Sequence, residues 1–156
     1  MAPVGGPGKE FWVFNRNYEN EMRDVTGEST YERAAWRIEI SPKVPAEENY
    51  FLNIMQIMEN NVQKLSTKKI EGDSITGILI SNRIVLLSKT SEAINSSVSF
   101  SLQEEDSFKI LITDLAPGKW QVMKDNKVVI PEASVNGDDG VLYFEGTRGN
   151  YTIFQL

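Results

Sequence analysis

Between residues 34 and 58 the chain reads AAWRIEISPKVPAEENYFLNIMQIM, two apolar segments around a polar turn that carries Pro42, Pro45, Glu47 and Glu48. In the first segment Trp36, Ile38 and Ile40 alternate with Arg37 and Glu39. That is the period of a half-buried strand, because successive strand side chains leave opposite faces of the sheet. The second, from residue 50, is almost continuously apolar and meets no charge before Glu59. A run of that kind predicts burial, and the two segments together are expected to form the centre of the core. Residues 50–65 admit two readings. Phe51, Ile54, Met55, Met58, Val62 and Leu65 recur at helical spacing, behind a proline and two glutamates that resemble a helix start. An unbroken apolar run is equally the pattern of a strand buried on both faces.

From residue 62 onward, segments rich in Val, Ile, Leu and Phe alternate with turn residues at the short spacing of sandwiches and barrels. Strands are expected at 62–70, 75–81, 84–89, 97–103, 108–114, 118–124, 127–130, 141–146 and 151–155. Hairpin links are expected at 71–73, 81–83, 116–118, 124–126 and 148–150, where Gly, Asn, Asp and Pro gather. Val98, Phe100 and Leu102 alternate with serines, so that strand has one wet face. Upstream, the aromatic run EFWVFN at 10–15 reads as a short strand, and the polar stretch 16–30 as a surface loop of the length at which functional loops become common. The Gly- and Pro-rich residues 1–9 read as a linker or lead-in loop, ahead of a single domain over 10–156. About ten strands, each with one apolar face, predict an all-β fold: an antiparallel two-sheet β-sandwich. No repeat of propeller or solenoid length is present.

Composition narrows the chemistry. The 156 residues contain no histidine and no cysteine. The usual general base, the commonest zinc ligand, thiolate metal sites and a Ser-His-acid relay are therefore excluded, and catalysis would fall to carboxylates, lysine or tyrosine. A formal net charge of −6 and scattered Lys and Arg argue against nucleic acid as a partner. No stretch has the apolar length of a membrane span, and the first residues lack the apolar middle of a signal peptide.

Individual motifs are weak. Gly8-Lys9 fails as a phosphate loop, with Pro3 where the first glycine belongs and Glu10 where Ser or Thr belongs. Glu104-Glu105-Asp106 and the NGDDG loop with Asn136, Asp138 and Asp139 offer calcium-type oxygens, but without EF-hand spacing; solvated turns are the simpler reading. Neither metal nor cofactor is expected. Asn95-Ser96-Ser97 and Asn150-Tyr151-Thr152 match the glycosylation tripeptide, a match common by chance. Tyr18, Tyr31, Tyr50, Tyr143 and Tyr151 are possible acids or bases in principle, though tyrosines in β domains mostly pack. Trp36 and Trp120 read as core. Trp12, on the aromatic strand leading into the polar loop, is the best candidate for stacking on a sugar, with Arg16 and Tyr18 beside it. No catalytic residue is assigned.

Three patches carry a family resemblance: GGPGKEFWV at 5–13 followed by an Asn-x-Asn-Tyr element, WRIEISP at 36–42, and FLNIMQ at 51–56. Together they resemble the C-terminal region of heparinase II/III-like polysaccharide lyases, and residues 118–156 resemble that family's closing strands less specifically. The resemblance implies a β-sandwich behind a helical toroid, in a periplasmic or extracellular enzyme that cleaves acidic, uronic-acid-containing polysaccharide by β-elimination. It also favours strand over helix for 50–65. Such lyases use tyrosine and histidine as acid and base. No histidine is present and no tyrosine here matches a catalytic position, so the resemblance implies a non-catalytic region that supports the upstream toroid and borders the substrate cleft. The alternative is a free-standing module that binds carbohydrate or protein.

Overall fold

The computed structural model describes residues 2–5, 12–13, 16–17, 36–44 and 46–156. The chain divides into two compact units, Met1–Asn49 and Tyr50–Leu156. In the first, β1 (Ala2–Gly5) pairs antiparallel with β4 (Trp36–Glu39), and β2 (Trp12–Val13) with β3 (Arg16–Asn17). The alternating strand is thus observed at β4, yet Ile38 is 66% exposed and Ile40 38%. They are not the centre of a core. The side chain of Trp36 lies outside the described residues, as does the loop from residue 18 to residue 30.

The second unit is a nine-stranded sandwich. Its strands are β5 (Thr67–Glu71), β6 (Ile75–Ile80), β7 (Arg83–Ser88), β8 (Val98–Leu102), β9 (Phe108–Ile112), β10 (Gly118–Lys124), β11 (Lys127–Val135), β12 (Leu142–Gly146) and β13 (Gly149–Gln155). One sheet has the order β12-β9-β7-β6-β5, the other β11-β10-β13-β8. All pairs are antiparallel except β7 with β9. That pair is parallel because the chain leaves the first sheet after β7, forms β8 in the second, and returns.

Alternation sets the core. Ile75 and Leu79 of β6, Ile84 and Leu86 of β7, and Phe108, Ile110 and Ile112 of β9 point inward from the five-stranded sheet. Val98, Phe100 and Leu102 of β8, Trp120 and Val122 of β10, and Tyr151 and Ile153 of β13 meet them from the other. Trp120 is fully buried, and its Nε1–H donates to the Ala116 carbonyl at 2.9 Å, so its one polar atom is satisfied. The β10–β11 hairpin turns on Asp125 (φ 49°) and Asn126 (φ 62°), two left-handed residues as a tight turn matching strand twist requires.

Two sequence expectations are corrected. Residues 116–118 and 148–150 do not close hairpins: each carries the chain from the five-stranded to the four-stranded sheet. Residues 50–65 are neither strand nor helix, nor the core's centre. They form an irregular segment tied by Gln56, whose Nε2–H donates to the Leu65 carbonyl and whose Oε1 accepts from the Leu65 N–H, both at 3.0 Å. A single carboxamide replaces the backbone ladder, and a turn closed by Val62 N–H to the Glu59 carbonyl lies inside the loop. The core closes without this segment because the inward faces of nine strands already fill it.

The difference is measurable. Trp120→Ala is expected to destabilise the chain by about 3–5 kcal/mol in denaturant titration, the range for emptying a large aromatic site. Ile57→Ala, at a position 91% exposed, is expected to change stability by no more than about 0.5 kcal/mol.

Candidate functional site

Strand β5 ends one sheet and β8 ends the other, and where these edges approach lies a polar groove of about 380 Å³. Unpaired edges expose backbone donors and acceptors, and here side chains close the gap. Lys68 Nζ on β5 reaches Glu104 Oε1, just after β8, at 2.5 Å. Glu71 is held by Lys69 and, at 3.1 Å, by Lys89, whose Nζ also donates to the Gly72 carbonyl at 2.6 Å. Gly72 is required by space: a β-carbon there would collide with the Ser99 carbonyl oxygen of β8. The wall continues as a polar ladder on the outer face of the four-stranded sheet, with Ser99 Oγ 3.3 Å from Thr152 Oγ1 and Ser101 Oγ donating to Asn150 Oδ1 at 2.7 Å.

The electrostatics are those of a closed account between neighbours. Hydrogen bonds from Lys69 and Lys89 hold the Glu71 carboxyl down at about 2, and Lys68 lowers that of Glu104. Both carboxyls move away from the range in which an acid donates a proton near neutrality. Each of the three lysines lining this edge has a carboxylate within reach, Lys69 and Lys89 sharing Glu71. Tyr151 is shifted upward, mainly by burial. Its ring stacks on Phe100 at 5.1 Å between centroids, while its hydroxyl donates to the Thr147 carbonyl at 2.7 Å and accepts from the Thr147 N–H at 2.9 Å. This tyrosine fastens the β12–β13 crossover.

The sequence candidates separate. Trp120 and Tyr151 are core. Tyr143 is exposed on edge strand β12, its hydroxyl 3.5 Å from Glu145 Oε1. Glu105 pairs with Arg148 at 2.9 Å rather than converging with Glu104 and Asp106. The NGDDG residues form a turn in which the Gly140 N–H reaches the Asn136 carbonyl. Among the described residues no three acidic groups gather as a metal site would require. Trp12 stands opposite Asn17, and Val13 opposite an exposed Arg16, in the β2–β3 pair; Tyr18 lies outside the described residues.

Sequence reasoning missed a different surface. The outer face of the five-stranded sheet carries Ile78, Val85, Leu111 and Tyr143 in one cross-strand row through β6, β7, β9 and β12. The signal was present in the continuous apolar runs ITGILI and RIVLLS, which lack the polar alternation of SVSFSL.

The described fold is an all-β sandwich whose β5/β8 edge is bridged by side-chain ion pairs. Its family is shown by sequence: the profile of the Heparinase II C-terminal domain matches residues 69–155. The chain belongs to that family. The matched stretch runs from within β5 to the end of β13 and so covers the sandwich. Among curated proteins, none matches the chain.

The sealed edge gives a pH prediction. Because its folded pKa lies below the ordinary 4.5, Glu71 contributes stability that is present above that pH and is lost as pH falls toward about 2. In Glu71→Gln the acid limb of a thermal-melting profile is expected to be shallower across that window. The change is small, since exposed pairs are screened, and it is abolished by high salt in the parent chain.

Proposed function

We propose that this chain is the non-catalytic C-terminal β-sandwich region of a heparinase II/III-like polysaccharide lyase. The parent reaction is β-elimination of uronic-acid-containing polysaccharide, carried out by an upstream helical toroid domain that the sandwich supports and whose cleft it borders. The observation carrying this reading is the family match over all nine strands of a domain whose shifted carboxyls are held by neighbouring lysines. The reading places residues 10–156 in one functional region behind a short linker, and the parent enzyme in the periplasm or outside the cell, where acidic polysaccharide is met. No cofactor, nucleic acid or membrane span enters it; among the described residues no helix is long and apolar enough to cross a membrane.

Unsaturated products of β-elimination absorb in the ultraviolet, which gives the test. The chain alone, incubated with a panel of uronic-acid polysaccharides, is expected to give no rise in absorbance, and the polypeptide of the complete reading frame is expected to give one. Product formation by the chain alone would overturn the non-catalytic role. Inactivity of the complete polypeptide across the panel would overturn the parent activity.

A second reading, a free-standing carbohydrate- or protein-binding module, draws support from the β2–β3 pair, which carries Trp12 and an exposed Arg16 just before Tyr18. It predicts that the chain binds an acidic glycan in titration calorimetry. Trp12→Ala then weakens that binding by roughly 1–3 kcal/mol, the magnitude of a lost stacking platform. Flat isotherms across a glycan panel would remove it.

A further inference from the structure

From β11 the chain crosses to β12 in the facing sheet through the turn Asn136-Gly137-Asp138-Asp139-Gly140. Asn136 is the one asparagine of the chain that a glycine follows. That pair has a chemistry of its own. The backbone nitrogen after an asparagine can close a five-membered ring on the side-chain carboxamide, and a side chain on the following residue obstructs the closure. Glycine has none, and its backbone reaches conformations closed to other residues.

Three observations favour the reaction at Asn136. Both Asn136 and Gly137 are exposed, so water reaches the carboxamide and the amide. Among the described residues no hydrogen bond engages the Asn136 side chain or the Gly137 N–H; the bond that closes the turn runs from the Gly140 N–H to the Asn136 carbonyl at 3.1 Å. There is also room, since a β-carbon at Gly137 would meet nothing nearer than the Pro117 ring at 3.5 Å. Other asparagines are placed differently. Asn150 lies in β13, where its Oδ1 accepts from Ser101 at 2.7 Å, its Nδ2 donates to Asp125 Oδ1 at 3.4 Å, and the buried Tyr151 follows it. Asn95 is exposed as well, but a serine follows it.

We propose that Asn136-Gly137 is a self-modification site, where the chain converts to aspartate and isoaspartate with water as the only co-reactant. The Gly137 nitrogen gives up its proton and attacks Asn136 Cγ. The Cγ–Nδ2 bond breaks, Nδ2 takes up a proton and leaves as ammonia, and a succinimide remains. Water then opens the ring. Attack at Cγ breaks the new Cγ–N bond and gives aspartate. Attack at the main-chain carbonyl carbon breaks the original peptide bond and gives isoaspartate, with the chain now running through Cβ and Cγ. Either product adds one negative charge to the formal −6.

Isoaspartate also changes the turn. It lengthens the main chain by one carbon and turns the carbonyl that receives the Gly140 N–H into a free carboxylate. Gly140 is committed elsewhere: it holds a left-handed φ of 60°, and its carbonyl accepts at 2.9 Å from the N–H of Leu115, a core residue 2% exposed. Ageing at residue 136 is thereby coupled to one end of the core.

The test ages the 156-residue chain at mildly alkaline pH in water enriched in oxygen-18. Peptide mass spectrometry with electron-transfer fragmentation then distinguishes isoaspartate from aspartate. Residue 136 is expected to take up a labelled oxygen faster than Asn95 or Asn150, and faster still as pH rises, because the amide nitrogen attacks as its anion. In Gly137→Ala, where the methyl has space, conversion is expected to slow roughly tenfold, an added barrier of about 1.4 kcal/mol. An Asn136 left intact while Asn95 converts, or equal rates in the parent and Gly137→Ala, would overturn the site. Fractions rich in isoaspartate are expected to melt below the fresh chain, and Asn136→Asp, which brings the charge without the extra carbon, to melt with it. Unchanged melting of the isoaspartate fractions would overturn the coupling to the core.

Discussion

The five-stranded sheet is apolar throughout its inner face and carries an apolar row, Ile78–Val85–Leu111, across its outer one; covering the inner face is the constraint that organises the domain. The inner face of β12-β9-β7-β6-β5 is covered by Trp120, Tyr151, Ile153 and the alternating residues of β8, packed to complete burial. Each large side chain so buried contributes roughly 1.5–3 kcal/mol, and the inner layer is a finished core. The outer face receives only an irregular strip, residues 50–65, whose side chains stay largely exposed.

At the open β5/β8 edge, Lys68–Glu104 joins the two layers and Glu71 gathers Lys69 and Lys89. These charged side chains blunt the edge against pairing with other strands. The apolar row Ile78–Val85–Leu111 lies away from this edge, on the outer face of the five-stranded sheet, while Met123, Val128 and Phe154 share the outer face of the four-stranded one with Thr152.

Much of the sandwich was legible in the sequence because period-two alternation survives wherever one face is wet. Val98, Phe100 and Leu102 against their serines placed β8 to within a residue at each end, and β6, β7, β9, β10, β12 and β13 came out nearly as closely. Links that change sheets were not legible. A turn such as Ala116-Pro117-Gly118 has the same residues whether the next strand pairs with the last one or crosses to the facing layer, and only the completed core decides. The larger failure was at residues 50–65, where an apolar run was equated with a buried one. Hydrophobicity reports that a segment leaves water in its working state, not that it does so within the stretch of chain at hand. The candidate binding residues Trp12 and Arg16 were found from local composition, whereas the apolar row Ile78–Val85–Leu111 exists only through strand register, one side chain from each of three strands.

The most specific patches of the resemblance lie upstream of the family match, which overlaps only its less specific part at 118–156. The distinctive patches lie at 5–13, 36–42 and 51–56, while the matched stretch begins at residue 69. The compact unit begins earlier, at Tyr50. Residues 50–68 therefore belong to the sandwich by contact but not by family definition. A segment that only linked two domains would be polar and solvated, as exposed loops are. This one is among the most apolar stretches of the chain; Gln56 ties it internally to Leu65, and Tyr50, Phe51 and Ile54 line a groove together with Thr76, Ile78 and Leu87. Its apolar composition therefore sets it apart from an ordinary linker: it is counted with the sandwich by contact, yet lies outside the stretch that the family defines.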